Sequence, residues 1–215
     1  MHVLHDGASA EGLAQADRLE AVRADVDPGT HGQTQRLSPE GAGSDGVIFL
    51  PALSGAMPTD TVANRQMVEV HYYDPFNFTL MSQDEVWGNQ AYYWGAPNQS
   101  VTDTIRNATW GDEAYTDTKF GLMKTKFIDQ GIPVILGEFG AQRRDSLTGA
   151  ASDLHLQSRR YYHQYVVKSA VANGLRPFFW DVGSFAGGVF DRSNNTVSDP
   201  AGLMALQQGA AGVAP

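Results

Sequence analysis

The stretch at residues 131–140, GIPVILGEFG, constrains the fold of this chain more than any other. Val134, Ile135 and Leu136 form a short apolar run, opened by a Gly-Ile-Pro turn and closed by Gly137-Glu138-Phe139-Gly140. Such a run, bounded by Gly and Pro, reads as a buried strand. Apolar throughout rather than alternating, it fits a parallel sheet covered on both faces. Glu138 then stands at the strand's carboxyl end, flanked by glycines that let backbone or ligand come close. In barrels of alternating strands and helices, that edge carries the chemistry. A Glu that caps or salt-bridges at the surface fits the segment equally well, so the rest of the chain has to decide.

Composition narrows the classes. With 215 residues, one domain or one domain plus an appendage is expected, and 42% hydrophobic residues suffice for a core. A net charge of -9 with no basic stripe argues against nucleic acid and against anionic membrane surfaces. There is no cysteine, which removes disulfides, thiolate chemistry and zinc-thiolate sites. No apolar run approaches membrane-spanning length, and MHVLHDGASAEG lacks the basic start and hydrophobic region of a secretory signal. His2, His5 and His31 show no metal-ligand spacing and read as surface histidines. Nothing in the chain demands a metal or an organic cofactor.

Read in order, residues 1–45 form an atypical, partly disordered segment. A short helix is predicted over 14–24, followed by a polar Gly-, Pro- and Ser-rich linker over 27–45. GVIFLPAL at 46–53 reads as a strand, and residues 67–75 as a second. Period two sets Glu69, His71 and Tyr73 on one side of that second strand and Val68, Val70 and Tyr72 on the other. The polar set either points into a barrel or forms a solvent stripe; the stop at Asp74-Pro75, just beyond it, favours the inward reading. Residues 76–110 are aperiodic and rich in Phe, Tyr and Trp among Asn, Gln and Asp. Rings interleaved with amides and carboxylates suit sugars, although any one ring is more simply explained as core. Helices are predicted over 112–130 and 156–173, with a polar loop over 141–154 between the third strand and the second helix. A fourth strand, RPFFWD at 176–181, precedes a Gly-rich loop, a short helix over 200–208 and a flexible tail at 209–215. Repeating strand–helix units imply a parallel sheet with helices outside. No Gly-rich phosphate loop is present.

HYY, then GEFG, then FFWD, in that order and at strand ends, resembles glycoside hydrolase family 5, the cellulase family of TIM barrels. The resemblance spans about residues 46–208 and corresponds to the carboxyl-terminal half of the barrel. It implies an α/β fold, a half (β/α)8 barrel of about four parallel βα units. It also implies a retaining O-glycosyl hydrolase acting on β-1,4-glucan or cello-oligosaccharides. By the same resemblance Glu138 is the nucleophile, Tyr73 positions it, His71 lines the sugar site and Trp180 is a sugar platform. Trp87 and Trp94, from the aromatic excursion, are the further substrate-binding candidates. The family acts outside the cell, which sets the expected location.

One departure from the family matters. Its acid/base Glu lies in an Asn-Glu-Pro motif, and no Asn-Glu-Pro occurs here; Glu69, Asp74, Glu85 and Asp181 are carboxylates without a matching motif. Retaining hydrolysis needs a second carboxyl about 5 Å from the nucleophile. An inactive carbohydrate-binding remnant is therefore the alternative reading. Half a barrel would also leave open edges and an uncovered inner face, so a homo-oligomer is expected.

Overall fold

The computed structural model describes residues 19–24, 66–183 and 187–215, with the backbone alone for 19–24. Four strands, β1 (Leu19–Ala24), β2 (Val68–Tyr72), β3 (Val134–Phe139) and β4 (Arg176–Pro177), form one sheet in that order. β2, β3 and β4 are parallel, while β1 runs antiparallel to β2. α1 (Phe76–Thr79) follows β2 directly. α2 (Glu113–Lys126) carries the chain from β2 to β3, and α3 (Gly149–Ala172) from β3 to β4. A small hairpin, β5 (Phe190–Asp191) with β6 (Thr196–Val197), precedes α4 (Pro200–Ala210).

Two strand–helix crossovers of the expected parallel sheet are thus in place. The strand expected at 46–53 and the linker over 27–45 lie outside the described residues. The helix expected over 14–24 is corrected: residues 19–24 form β1, paired with β2 from Leu19 opposite Tyr72 to Ala24 opposite Val68. A free β2 edge offers a row of unpaired amides and carbonyls, and pairing with it outweighs a weak local helix preference.

The sheet separates core from site by simple alternation. Val68, Val70 and Tyr72 are buried, whereas Glu69 and His71 between them are only half-buried. The buried set joins Val134, Leu136 and Phe139 of β3, Phe120 and Met123 of α2, and Tyr162, Val166 and Ala170 of α3 in one cluster. Each large apolar side chain so buried contributes about 1.5–3 kcal/mol. The Tyr72 ring lies 5.0 Å from that of Phe120, and its hydroxyl is satisfied by Thr116 Oγ1 at 2.8 Å.

Helix limits follow from local chemistry. Asp112 caps α2 by accepting the Tyr115 amide at 2.9 Å, and Gly131, with φ 80°, ends the turn after it. α3 starts at Gly149, inside the stretch read as a polar loop. Ala150, Ala151 and Leu154 favour helix, but apolar periodicity begins only where α3 meets the core, which hides the first turns from pattern reading. Asp199 caps α4 through the Gly202 amide at 2.9 Å. Gly209 lets α4 close on α3: a Cβ there would stand 2.5 Å from the Gln164 carbonyl oxygen. No described helix is long and apolar enough to cross a membrane.

Candidate active site

The carboxyl ends of β2 and β3 bring three side chains together. Tyr73 Oη donates to Glu138 Oε2 at 3.1 Å, and His71 Nδ1 lies 3.6 Å from the same oxygen. Glu138 Oε1 has no hydrogen-bond partner among the described residues. The Glu138 side chain is 25% exposed, enough for a reactant to reach it while the protein still fixes its rotamer.

This convergence depends on an irregularity in the ladder. Val70 pairs with Leu136, but the next pair is His71 with Glu138, so the register steps past Gly137. The step is a β-bulge, a device that re-aims a side chain. Without it, strict alternation would set Glu138 and Leu136 on the same side, with Leu136 in the core.

A fourth residue belongs to the cluster. Glu69 Oε1 lies 3.1 Å from His71 Nε2, and its side chain is 18% exposed. Glu69, His71 and Tyr73 share a face by period two, so the Glu69–His71 contact was open to sequence reasoning. What sequence reasoning lacked was the bulge at Gly137, which makes room for the Glu69 carboxylate.

The other carboxylates considered as acids are committed elsewhere. Asp74 is fully buried and accepts from Tyr115 Oη at 3.0 Å. Asp181 takes the amides of Gly183, Val189 and Phe190 at 2.7, 2.7 and 3.0 Å, which makes it a loop anchor. Glu85 sits on an exposed turn beside Gln83. Among the described residues no group of three or more His, Asp or Glu could hold a metal ion.

Trp180 flanks the cluster. β4 is regular only over Arg176–Pro177, yet the chain continues along β3. Phe178 N donates to Leu136 O at 2.8 Å, and Trp180 N donates to Phe139 O at 3.1 Å. The half-buried Trp180 therefore stands beside the strand end that carries Glu138.

The aromatic excursion divides into core and surface. Trp94 as a sugar platform is corrected: it is completely buried, its indole Nε1 donates to Gly111 O at 2.7 Å, and its ring meets Tyr162 edge-on at 5.0 Å. A flanking Tyr93 and the α3 tyrosines gave it a place in the core that composition alone could not reveal. Trp87 is 39% exposed on the turn between Glu85 and Gly88, tilted against Phe76 at 6.1 Å. Trp110 is equally exposed and was not among the candidates.

The excursion is held by cations and a histidine on the next loop and helix. The buried Arg144 donates to the carbonyls of Asn77, Met81 and Ala91 at 3.1, 3.1 and 3.3 Å; burial pulls its pKa down to about 10, so it stays charged near neutrality. His155 accepts the Arg144 amide on Nε2 at 3.0 Å and donates from Nδ1 to Tyr92 O at 2.8 Å. Burial holds its pKa down, at about 4. Asp84 receives both Arg106 nitrogens, at 2.5 and 2.8 Å, and that pairing lowers its carboxyl to about 2.

Comparison with known proteins shows the family. The family model described as cellulase (glycosyl hydrolase family 5) matches residues 40–186. A xyloglucan-specific endo-β-1,4-glucanase of Bacteroides ovatus is 40% identical over 71% of this chain and 29% of its own length. Endoglucanase A of Paenibacillus barcinonensis is 35% identical over 73% of this chain and 36% of its own. Among solved structures, a Bacteroides ovatus xyloglucanase in complex with a heptasaccharide superposes with a TM-score of 0.64 at 38% identity, covering 72% of this chain and 31% of that one. A xyloglucan-specific β-1,4-glucanase from a ruminal metagenomic library gives 0.61 at 36% identity, covering 70% and 40%. The chain spans about a third of the length of the curated relatives it matches.

Proposed function

The chain belongs to glycosyl hydrolase family 5, and from that premise we propose that it cleaves β-1,4-glucan with retention, Glu138 acting as nucleophile. The observation that carries this reading is the grip on one carboxylate oxygen only. Tyr73 holds Oε2, His71 stands against it, and Oε1 is left to attack the anomeric carbon. A nucleophile held in one rotamer near the attack geometry meets the main demand of covalent catalysis.

Trp180 is the platform for the sugar at the cleavage point, and Trp87 offers an outer stacking surface. Two relatives are named as acting on xyloglucan, so xyloglucan and unbranched β-1,4-glucan are the substrates to compare. A polymer of that size is degraded outside the cell, where the protein is expected to act. Residues 46–208 are taken as the body of the hydrolase domain, and β1 adds a strand to its sheet. The tail expected from residue 209 is corrected, since α4 runs to Ala210 with Gly209 packed on α3 and Gln164 Nε2 donating to Val213 O.

The proton donor is assigned to no residue here. An aryl β-cellobioside, whose leaving group needs little protonation, is therefore the substrate of choice. The parent should hydrolyse it, and Glu138→Gln should lose at least about a thousandfold in kcat while keeping sugar binding. Equal rates in both would overturn the assignment. The missing Asn-Glu-Pro favours a second reading, a sugar-binding remnant, which predicts binding by both proteins and turnover by neither.

We also infer self-association. β4 is a sheet edge among the described strands, and Phe178 and Val182 beside it are 56% and 45% exposed. An open edge with apolar neighbours is a pairing template.

A further inference from the structure

We propose that Glu69 is a positioning residue for the nucleophile, holding His71 as the Nε2–H tautomer with its Nδ1 edge against Glu138. The proposal rests on the reading of Glu138 as nucleophile, and it concerns how that carboxylate is kept in place.

Three observations converge on it. A carboxylate can only accept, so the 3.1 Å contact between Glu69 Oε1 and His71 Nε2 puts the proton on Nε2. The second nitrogen is then turned toward Glu138 Oε2 at 3.6 Å. With no proton on Nδ1, His71 donates nothing to Glu138, and Tyr73 Oη is the donor to Oε2.

The second observation is the notch under Glu69. A Cβ at Gly137 would lie 2.2 Å from Glu69 Oε1 and 2.8 Å from its Cγ and Cδ, so only glycine leaves room for the carboxylate. Gly137 is absent from the residues with positive φ, so space and not backbone freedom demands glycine here. The third is the register step at the same residue, which turns Glu138 onto the face of Glu69 and His71. One glycine thus admits Glu69 and aims Glu138, coupling the two carboxylates through the imidazole.

Remote carboxylates that fix the tautomer of a working histidine affect rate through geometry. Loss of Glu69 would let the proton move to Nδ1, where it can donate to Glu138 Oε2 and blunt the nucleophile, an effect felt in the transition state more than in substrate binding. The proposal predicts a loss in kcat with little change in KM.

The test combines kinetics on an aryl β-cellobioside with nitrogen NMR of the His71 ring in this chain. In the parent, neutral His71 should show a single Nε2–H form. Glu69→Ala should give mixed tautomers and a kcat lower by roughly 10- to 100-fold, with KM within a few-fold. Glu69→Gln, whose amide oxygen can still accept the Nε2 proton, should restore most of the tautomer and part of kcat. Gly137→Ala, which displaces the Glu69 carboxylate without altering it, should reproduce the Glu69→Ala spectrum. An unchanged tautomer in both Glu69→Ala and Gly137→Ala, or an unchanged kcat beside a mixed tautomer, would overturn the proposal. If the parent is inert, the nucleophile reading fails, and the spectra alone still decide whether Glu69 orients His71.

Discussion

At the scale of single residues, His155 and His163 show what a buried imidazole demands. His155 is 1% exposed and uses both ring nitrogens, one as donor and one as acceptor, an arrangement open only to the neutral ring. His163 is buried against Phe139, Phe179 and Tyr162, and burial holds its pKa well below the ordinary value. For both, the folded chain binds a proton less readily than the unfolded chain. Their contribution to stability is complete above the unfolded value of 6.5 and declines as pH falls toward the folded value, about 4 for His155. The His155 share amounts to roughly 3 kcal/mol. Urea unfolding followed from pH 7 to pH 4 should show stability falling with acidity, and His155→Gln should flatten that slope while lowering stability at pH 7. Parallel slopes for parent and variant would refute a neutral, buried His155.

At the scale of elements, the two tryptophans of the excursion separate packing from recognition. Trp94→Ala removes a ring enclosed by Tyr161, Tyr162 and Tyr165, and should cost about 3–5 kcal/mol. Trp87→Ala should change stability by less than about 0.5 kcal/mol and weaken binding of longer cello-oligosaccharides. Denaturant midpoints and calorimetric titration would read the two effects independently. This division also marks what the sequence made legible. The strands at β2 and β3, the helix stop at Gly131 and the strand-end positions of His71, Tyr73, Glu138 and Trp180 follow from period, Gly and Pro placement and family motifs. Burial of Trp94 does not, because it depends on α3 packing from far along the chain. The start of α3 was hidden by its polar first turns, and β1 by a pairing partner that lies distant in sequence. The bulge at Gly137 left one trace, a glycine inside an otherwise strong strand, which commonly marks a bulge or a close approach.

At the scale of the whole molecule, the two described parallel crossovers form a scaffold with one face buried against the helices and Glu69 and His71 on the other. β1 covers one edge of the parallel strands, and β4 is the edge with exposed Phe178 and Val182. Light scattering on purified protein should therefore give a mass above one chain, and Phe178→Asp should lower it. A monodisperse monomer in the parent would contradict self-association through that edge.

Glu138, as the proposed nucleophile, must form a covalent bond to the sugar. A β-cellobioside with an activated aryl leaving group and a fluorine next to the anomeric carbon forms such an ester quickly and releases it slowly. Mass spectrometry of the digested protein should find the fluorinated cellobiosyl group on the peptide that contains Glu138, and no adduct in Glu138→Gln. An adduct on another carboxylate, or steady turnover of aryl cellobioside with no adduct at all, would contradict the assignment.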